Sequence, residues 1–186
     1  RSTLFPYTTL FRSLRAAGVS CETFDPSVIE KNPMRASDLS AAEEMVRRIT
    51  AVQAENDSVG GIVECRVTGA APGLGEPVFD KLDAMLAHAM LSIGAVKGIE
   101  FGAGFAAAEM RGSEHNDQLS EKGFLSNNAG GILGGISTGQ EIRFRIVVKP
   151  TASIARPLRT TDLTGSERTI RTEGRHDACI CPRIVP

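Results

Sequence analysis

Tryptophan is absent from this 186-residue chain, tyrosine occurs once, and aromatic residues make up only 5%. A core built on large aromatic anchors is therefore excluded, and close approaches between small residues must supply much of the packing. An excess of one charge is missing too: 21 Lys and Arg stand against 22 Asp and Glu, for a net charge of -1. That leaves neither the basic footprint of a nucleic-acid binder nor a polybasic membrane patch. No apolar run approaches the roughly 18 residues that a spanning helix needs. The three histidines, His88, His115 and His176, show no spacing suited to a metal. Cys179 and Cys181 sit too close together for an ordinary structural zinc pair, and Cys21 and Cys65 do not form a second one. Residues 1–13 lack the basic, apolar and small-residue order of a secretory leader. Reduced thiols and a cytoplasmic location are therefore expected.

What the chain does have is glycine, 19 residues of it, within a composition that is 41% hydrophobic and 23% charged. These are the proportions of a globular protein. Residues 1–13 differ in character from residues 14–186, and they resemble the translation of a sequencing adapter. They are expected to be a non-native artefact poorly tied to the rest of the chain, the alternative being a genuine strand with alternating Leu4, Tyr7 and Leu10.

From Leu14 onward the pattern is that of an α+β protein. Ser40 with Glu43 forms a capping-box pair, and Ala42, Met45, Ile49 and Val52 then recur at helical spacing. Residues 59–68 read as a strand that ends at a Pro-Gly break. Pro77 is expected to start a second helix carrying Val78, Leu82, Met85, Leu86 and Ala89. Short strands are expected over 96–101 and, most clearly, 141–149, where Arg143 and Arg145 alternate with Phe144 and Ile146. Residues 112–128 and 160–174 read as a loop and a surface connection.

Four segments carry candidate chemistry, each against a plainer reading. Gly102-Ala103-Gly104-Phe105-Ala106-Ala107 imitates a dinucleotide fingerprint, but no acid on a second strand follows it at the right distance, so small-residue packing is the better account. Gly130-Gly131-Ile132-Leu133-Gly134-Gly135 can bring backbone amides close to a flat ring or a phosphate, or can be a flexible hairpin. Lys149-Pro150-Thr151-Ala152-Ser153 ends the clearest strand, and its ammonium, hydroxyls and amides can converge on an anion. Taken alone, it reads as a solvated turn. Arg175-His176-Asp177 offers a guanidinium for a carboxylate or phosphate and a carboxylate for base catalysis, or a bland ion pair. His88 reads as structural and His115 as solvated.

These segments occur in one order together with Asn32-Pro33-Met34-Arg35, with Gly73-Leu74-Gly75-Glu76-Pro77-Val78-Phe79-Asp80, and with Ser92-Ile93-Gly94-Ala95-Val96-Lys97-Gly98. In that order residues 14–186 resemble chorismate synthase, covering about the second half of the enzyme and truncated at both ends. The resemblance implies a lyase of the shikimate pathway that serves aromatic amino-acid biosynthesis. Its reaction is an anti-1,4-elimination of phosphate from 5-enolpyruvylshikimate 3-phosphate to give chorismate. The flavoprotein uses reduced FMN without net redox change, and NAD(P)H serves only as a source of reducing equivalents. The fold implied is a sandwich of antiparallel sheets around helices, assembled as a homotetramer.

Matched motif to motif, the resemblance places flavin contacts at Gly94, Ala95, Gly134, Lys149, Pro150, Thr151, Ala152, Ser153 and Arg175. Arg175 would also meet substrate, and Asp177 would be the catalytic base. The expectation is that Gly134, Lys149–Ser153 and Arg175 line one concave site. The family's Gly-Glu-Ser-His and Ser-Ala-Arg-Glu-Thr motifs and its second catalytic histidine are not among these 186 residues, so this segment alone is expected to be inactive. The alternatives are a non-catalytic FMN- or nucleotide-binding module and a plain structural domain.

Overall fold

The computed structural model describes residues 8–174 and 176–185. In chain order the elements are β1 (Thr8–Ala16), β2 (Val19–Ser20), α1 (Leu39–Ala54), β3 (Gly61–Thr68), α2 (Leu82–Leu91), β4 (Val96–Phe101), α3 (Gly112–His115), β5 (Leu119–Ser120), β6 (Gly123–Phe124), β7 (Ile132–Leu133), β8 (Ile136–Ser137), β9 (Ile142–Val148), β10 (Leu158–Thr161), β11 (Glu167–Ile170) and α4 (Cys181–Ile184). Strands β2, β1, β3, β9 and β4 make a five-stranded sheet in that order, and β5–β6, β7–β8 and β10–β11 are two-stranded ladders. β1 pairs antiparallel with β2, and each small ladder is antiparallel. This is the expected α+β class. Contacts divide the chain into two compact units, Arg1–Arg12 with Val63–Val147 and Ser13–Ile62 with Val148–Pro186.

In the first unit, β9 reads as its alternation predicts: Ile142, Phe144 and Ile146 are buried, and Arg143 and Arg145 are half-buried between them. Phe144 meets Phe101 of β4 at a ring separation of 5.6 Å. Arg145 Nε reaches a Glu100 oxygen at 3.0 Å. Arg12 and Glu64 are each about 5% exposed and are joined at 2.8 Å, with Arg66 on the same carboxylate oxygen at 2.8 Å. Burial pushes the Glu64 carboxyl up. The hydrogen bond from Arg66 and the Arg12 charge outweigh it, leaving the group below its usual range. Residues 8–13 are therefore not loosely tied: they form most of β1, and the Arg12 side chain has a buried partner.

Two helix starts depart from expectation. α1 is capped by Asp38, whose Oδ1 accepts from the Ala41 amide at 3.1 Å, and Ser40 is already helical. Asp38 Oδ2 also accepts from Glu22 and Thr23. Led by the Ala41 amide, these bonds hold the Asp38 carboxyl down at about 2. Pro77 does not start α2: the helix begins at Leu82 after Lys81, and Val78 and Phe79 lie outside it, 72% and 90% exposed. A helix needs the Leu82 amide to follow its own path, and here that amide is held by the Gly135 carbonyl at 2.8 Å.

The second unit packs Ala16, Met34, Ala36, Ala41, Ala42 and Met45 into one buried cluster, with Ile49 at its edge. Its buried Ala42 and Met45 are the first half of the apolar stripe seen in the sequence. Residues 160–174 are more than a connection, because Leu158–Thr161 and Glu167–Ile170 form a hairpin in register. Its turn is held by Asp162 Oδ1, which accepts from the amides of Thr164 and Ser166. Likewise, residues 112–128 hold α3 and the β5–β6 ladder rather than loop alone.

Candidate functional site

The glycine-rich run lies in the first unit, and its glycines do different jobs. A Cβ on Gly130 would collide with the Gly102 amide nitrogen, and one on Gly131 would come within 2.6 Å of the Glu141 carbonyl. These two allow backbones to touch. Gly134 has a φ of +59° but nothing within 4 Å of a Cβ position, so its backbone faces open space. Gly94 is open in the same way, and the next residue, Ala95, holds a φ of +72°. A non-glycine residue in that region stores strain that its surroundings must impose. The dinucleotide-like run at Gly102 is spoken for: its amide donates to the Arg143 carbonyl at 3.0 Å, and the Ala103 amide donates to the Asn128 carbonyl at 2.7 Å. Those N–H groups are not free to cradle a phosphate.

Two polar residues that sequence reasoning missed shape this run. Asp117, 8% exposed, accepts from Ser126 Oγ, the Asn128 amide and the Ala129 amide at 2.6–2.8 Å. Burial pushes its carboxyl up, but these bonds outweigh it and leave the group below its usual range. Ser137 Oγ donates to the Ala71 carbonyl at 2.7 Å and accepts from the Leu74 amide at 2.8 Å. The Gly73-Leu74 motif is thereby pinned to the end of the run. The only sequence signal for either residue is a small polar group beside a turn, which is common.

In the second unit, β9 stops at Val148 and the Lys149–Ser153 turn comes next. Thr151 is the junction of that turn. Its Oγ1 donates to the Asp177 carbonyl at 2.9 Å, and its own carbonyl accepts from Ser58 Oγ at 2.7 Å. Three segments distant in sequence meet there: the 56–58 turn, the 149–153 turn and the 176–178 segment. Ser58 is a further residue the sequence did not single out. Its neighbour Asp57 is held below the usual carboxylate range, first by the Ser58 amide and then by Arg156. Lys149 is half-buried, and among the described residues its Nζ donates only to the adjacent Pro150 carbonyl, at 3.3 Å. Pro150, Ala152 and Ser153 are exposed, and no described residue accepts from the amides of 151–153.

The Asp177 carboxylate pairs with Arg183 at 3.0 Å. Arg175, expected to be its charged neighbour and a ligand contact, lies outside the described residues. His176 Nε2 is buried with no partner among the described residues. His176 lines a cavity of about 300 Å³ with Asn56, Asp57, Ser58, Ile154 and Gly174. The expected single site for Gly134, Lys149–Ser153 and Arg175 draws on both units and on that undescribed arginine. What the structure brings together is the second unit's share, Thr151 with Asp177. Among the described residues no group of three or more His, Cys, Asp or Glu side chains could hold a metal, and no helix is long and apolar enough to cross a membrane.

The family model described as chorismate synthase matches residues 10–186. The chain belongs to the chorismate synthase family. It is 50% identical over 180 residues to the chorismate synthase of Desulfatibacillum aliphaticivorans, covering 97% of this chain and 49% of that protein. It is 55% identical over 178 residues to that of Methanosarcina acetivorans, covering 93% and 48%. A solved structure titled as the crystal structure of chorismate synthase matches with a TM-score of 0.72 at 28% identity, over 79% of this chain and 50% of that one. The chain thus spans about half the length of the curated chorismate synthases it matches.

Proposed function

We propose that this chain is the flavin- and base-bearing part of an enzyme that converts 5-enolpyruvylshikimate 3-phosphate to chorismate and phosphate in the cytoplasm, as a homotetramer. The observation that carries the reading is the Thr151 junction: one hydroxyl ties the candidate anion-binding turn to the candidate base, Asp177. The donor set fits a flavin. Lys149 offers an ammonium with no acidic partner among the described residues, the 151–153 amides have no described acceptor, and the backbones at Gly94 and Gly134 are uncovered.

Lys149, Pro150, Thr151, Ala152 and Ser153, with Arg175, would hold reduced FMN from the second unit. Gly94, Ala95 and Gly134 are the first unit's candidate contacts. Held there, reduced FMN would supply electron density for the loss of phosphate without net redox change, and NAD(P)H would be needed only to reduce it. Arg175 would meet the substrate's anionic groups, where a planar guanidinium suits phosphate and carboxylate. Asp177 would hold the proton that the reaction moves. Arg183 pairs with its carboxylate and Thr151 fixes its backbone, so its position is set before substrate arrives.

The test is Asp177→Asn in a complete enzyme carrying this segment, assayed anaerobically with reduced FMN and substrate. Loss of a general base costs ~10²–10⁴-fold in rate. Turnover should fall by that much while flavin and substrate still bind. Near-normal turnover would reduce Asp177 to an ion-pair partner of Arg183. Flavin binding without any chorismate from the unsubstituted complete enzyme would favour the non-catalytic flavin- or nucleotide-binding module instead.

A further inference from the structure

Within the 149–153 turn, three successive peptide carbonyls each have a donor. The Pro150 carbonyl accepts from Lys149 Nζ at 3.3 Å, the Thr151 carbonyl from Ser58 Oγ at 2.7 Å, and the Ala152 carbonyl from the Ile154 amide at 3.0 Å. In a trans peptide the C=O and the N–H that follows it point in opposite directions. Holding the three carbonyls therefore orients the amides of Thr151, Ala152 and Ser153, and none of the three has an acceptor among the described residues. Two of the carbonyl donors are local to the turn. Ser58 is the exception, 93 positions away in sequence.

Ser58 is brought there by its own segment. A Cβ on Gly60 would collide with the Val148 carbonyl and come within 3.1 Å of Pro150 Cδ, so a bare glycine lets residues 57–60 lie against the start of the turn. Arg156 Nη1 donates to Asp57 at 2.7 Å, which ties the same segment to the chain beyond the turn. The Val59 amide donates to the Ala178 carbonyl at 2.8 Å. Residues 57–60 are thus bonded both to the turn and to the segment that carries Asp177, all within the second unit.

We propose that Ser58 is a positioning residue for flavin binding: its hydroxyl, by holding the Thr151 carbonyl, aims the Ala152 amide at an acceptor atom of the flavin. The inference rests on the flavin reading given above. Ser58 does not touch the cofactor and acts through the Thr151–Ala152 peptide. That peptide plane can rotate through ψ of Thr151 and φ of Ala152 alone, with its neighbours left in place. The bond at its carbonyl is what tells it which way to face. An amide already oriented needs no ordering when the flavin arrives, and that saving appears as affinity.

The test compares a complete enzyme carrying this segment with its Ser58→Ala, Ser58→Thr and Ser58→Cys variants. Each is titrated with oxidised FMN, with and without substrate. Binding is read from quenching of flavin fluorescence and from the absorption spectrum of the bound flavin, and circular dichroism with urea unfolding reports folding in parallel. Ser58→Ala should raise the Kd for FMN about two- to tenfold, the scale of one neutral hydrogen bond, and shift the bound-flavin spectrum. Ser58→Thr keeps the hydroxyl and should recover affinity and spectrum. Ser58→Cys keeps the volume with a weak donor, should bind as the alanine variant does, and replaces it if alanine does not fold. A Ser58→Ala enzyme that is less stable yet binds FMN with unchanged Kd and spectrum would overturn the proposal and leave Ser58 a structural residue. So would Ser58→Thr binding no better than Ser58→Ala. If the unsubstituted enzyme binds no FMN, the flavin reading falls and this inference with it, whereas equal binding by the unsubstituted and Ser58→Ala enzymes removes this inference alone.

Discussion

Helices α1 and α2 differ in how much of their environment is present within their own unit. α1 has a side-chain cap in Asp38, three buried residues in Ala41, Ala42 and Met45, and a polar face where Glu44 bridges Arg47 and Arg48 at 2.7 Å. α2 has no side-chain cap and no buried residue, although only Asp83 and His88 interrupt an otherwise apolar sequence. Leu91 and Met85 are 49% and 53% exposed. Amphipathic periodicity means one covered face, and apolarity on every side is the composition of an enclosed helix. α1 is thus explained by its own unit, whereas α2 carries more apolar surface than its unit covers. The lesson is that the amplitude of a helical pattern reports how many sides are meant to be covered, and the structure reports how many are.

The contrast can be broken at its strongest point first. Met45→Ala should cost ~2–5 kcal/mol, because the side chain is fully buried and its removal leaves a cavity. Urea unfolding of the chain measures it, and a loss below about 1 kcal/mol would mean that the cluster does not anchor α1.

Asp38→Ala should cost ~1–2 kcal/mol, since it removes the cap and leaves the Glu22 and Thr23 amides without their acceptor. It also carries a pH signature. The Asp38 carboxyl sits at about 2 in the folded chain, below roughly 3.9 when unfolded. Its stabilising contribution is therefore complete above pH ~4 and is lost as the pH falls through the folded value. The alanine variant should lack that part of the acid slope.

The smallest effect belongs to α2. Met85→Ala in this chain should cost less than about 0.5 kcal/mol, as expected for a half-exposed site. A cost comparable to that of Met45→Ala would show α2 to be enclosed and would dissolve the comparison.

Strands β4 and β9 were legible because alternation is a property of neighbouring residues: Phe144 and Ile146 face one way and Arg143 and Arg145 the other wherever the strand is placed. The Pro77 start was not legible, because proline permits a helix without requiring one, and the chain past it is committed through the Leu82 amide and Gly135. Ser40 with Glu43 matched a capping box, but Asp38 won with an aspartate positioned to take three amides at once. The β10–β11 hairpin was hidden by charge. Thr and Arg alternate on an exposed ladder, and the turn signal at Asp162 and Gly165 only makes sense once the two strands are paired.

The candidate site shows the same division. Lys149–Ser153 and Asp177 were found as motifs, yet the Thr151 hydroxyl that joins them, and Ser58 behind it, came only from the fold. Asp177 is paired with Arg183, while Arg175, two residues upstream, lies outside the described residues. Of the four glycines in the 130–135 run, Gly134 is the one with open space at its Cβ position.

By itself the sequence determined the family, the α+β class, and the local elements whose side chains repeat with a short period, because those signals need no knowledge of distant residues. The tertiary structure alone decided which polar groups are partnered. Arg12 reaches Glu64 across 52 positions and Thr151 reaches Asp177 across 26. A buried charge or hydroxyl is stable only opposite its complement, and that complement is chosen by packing in space.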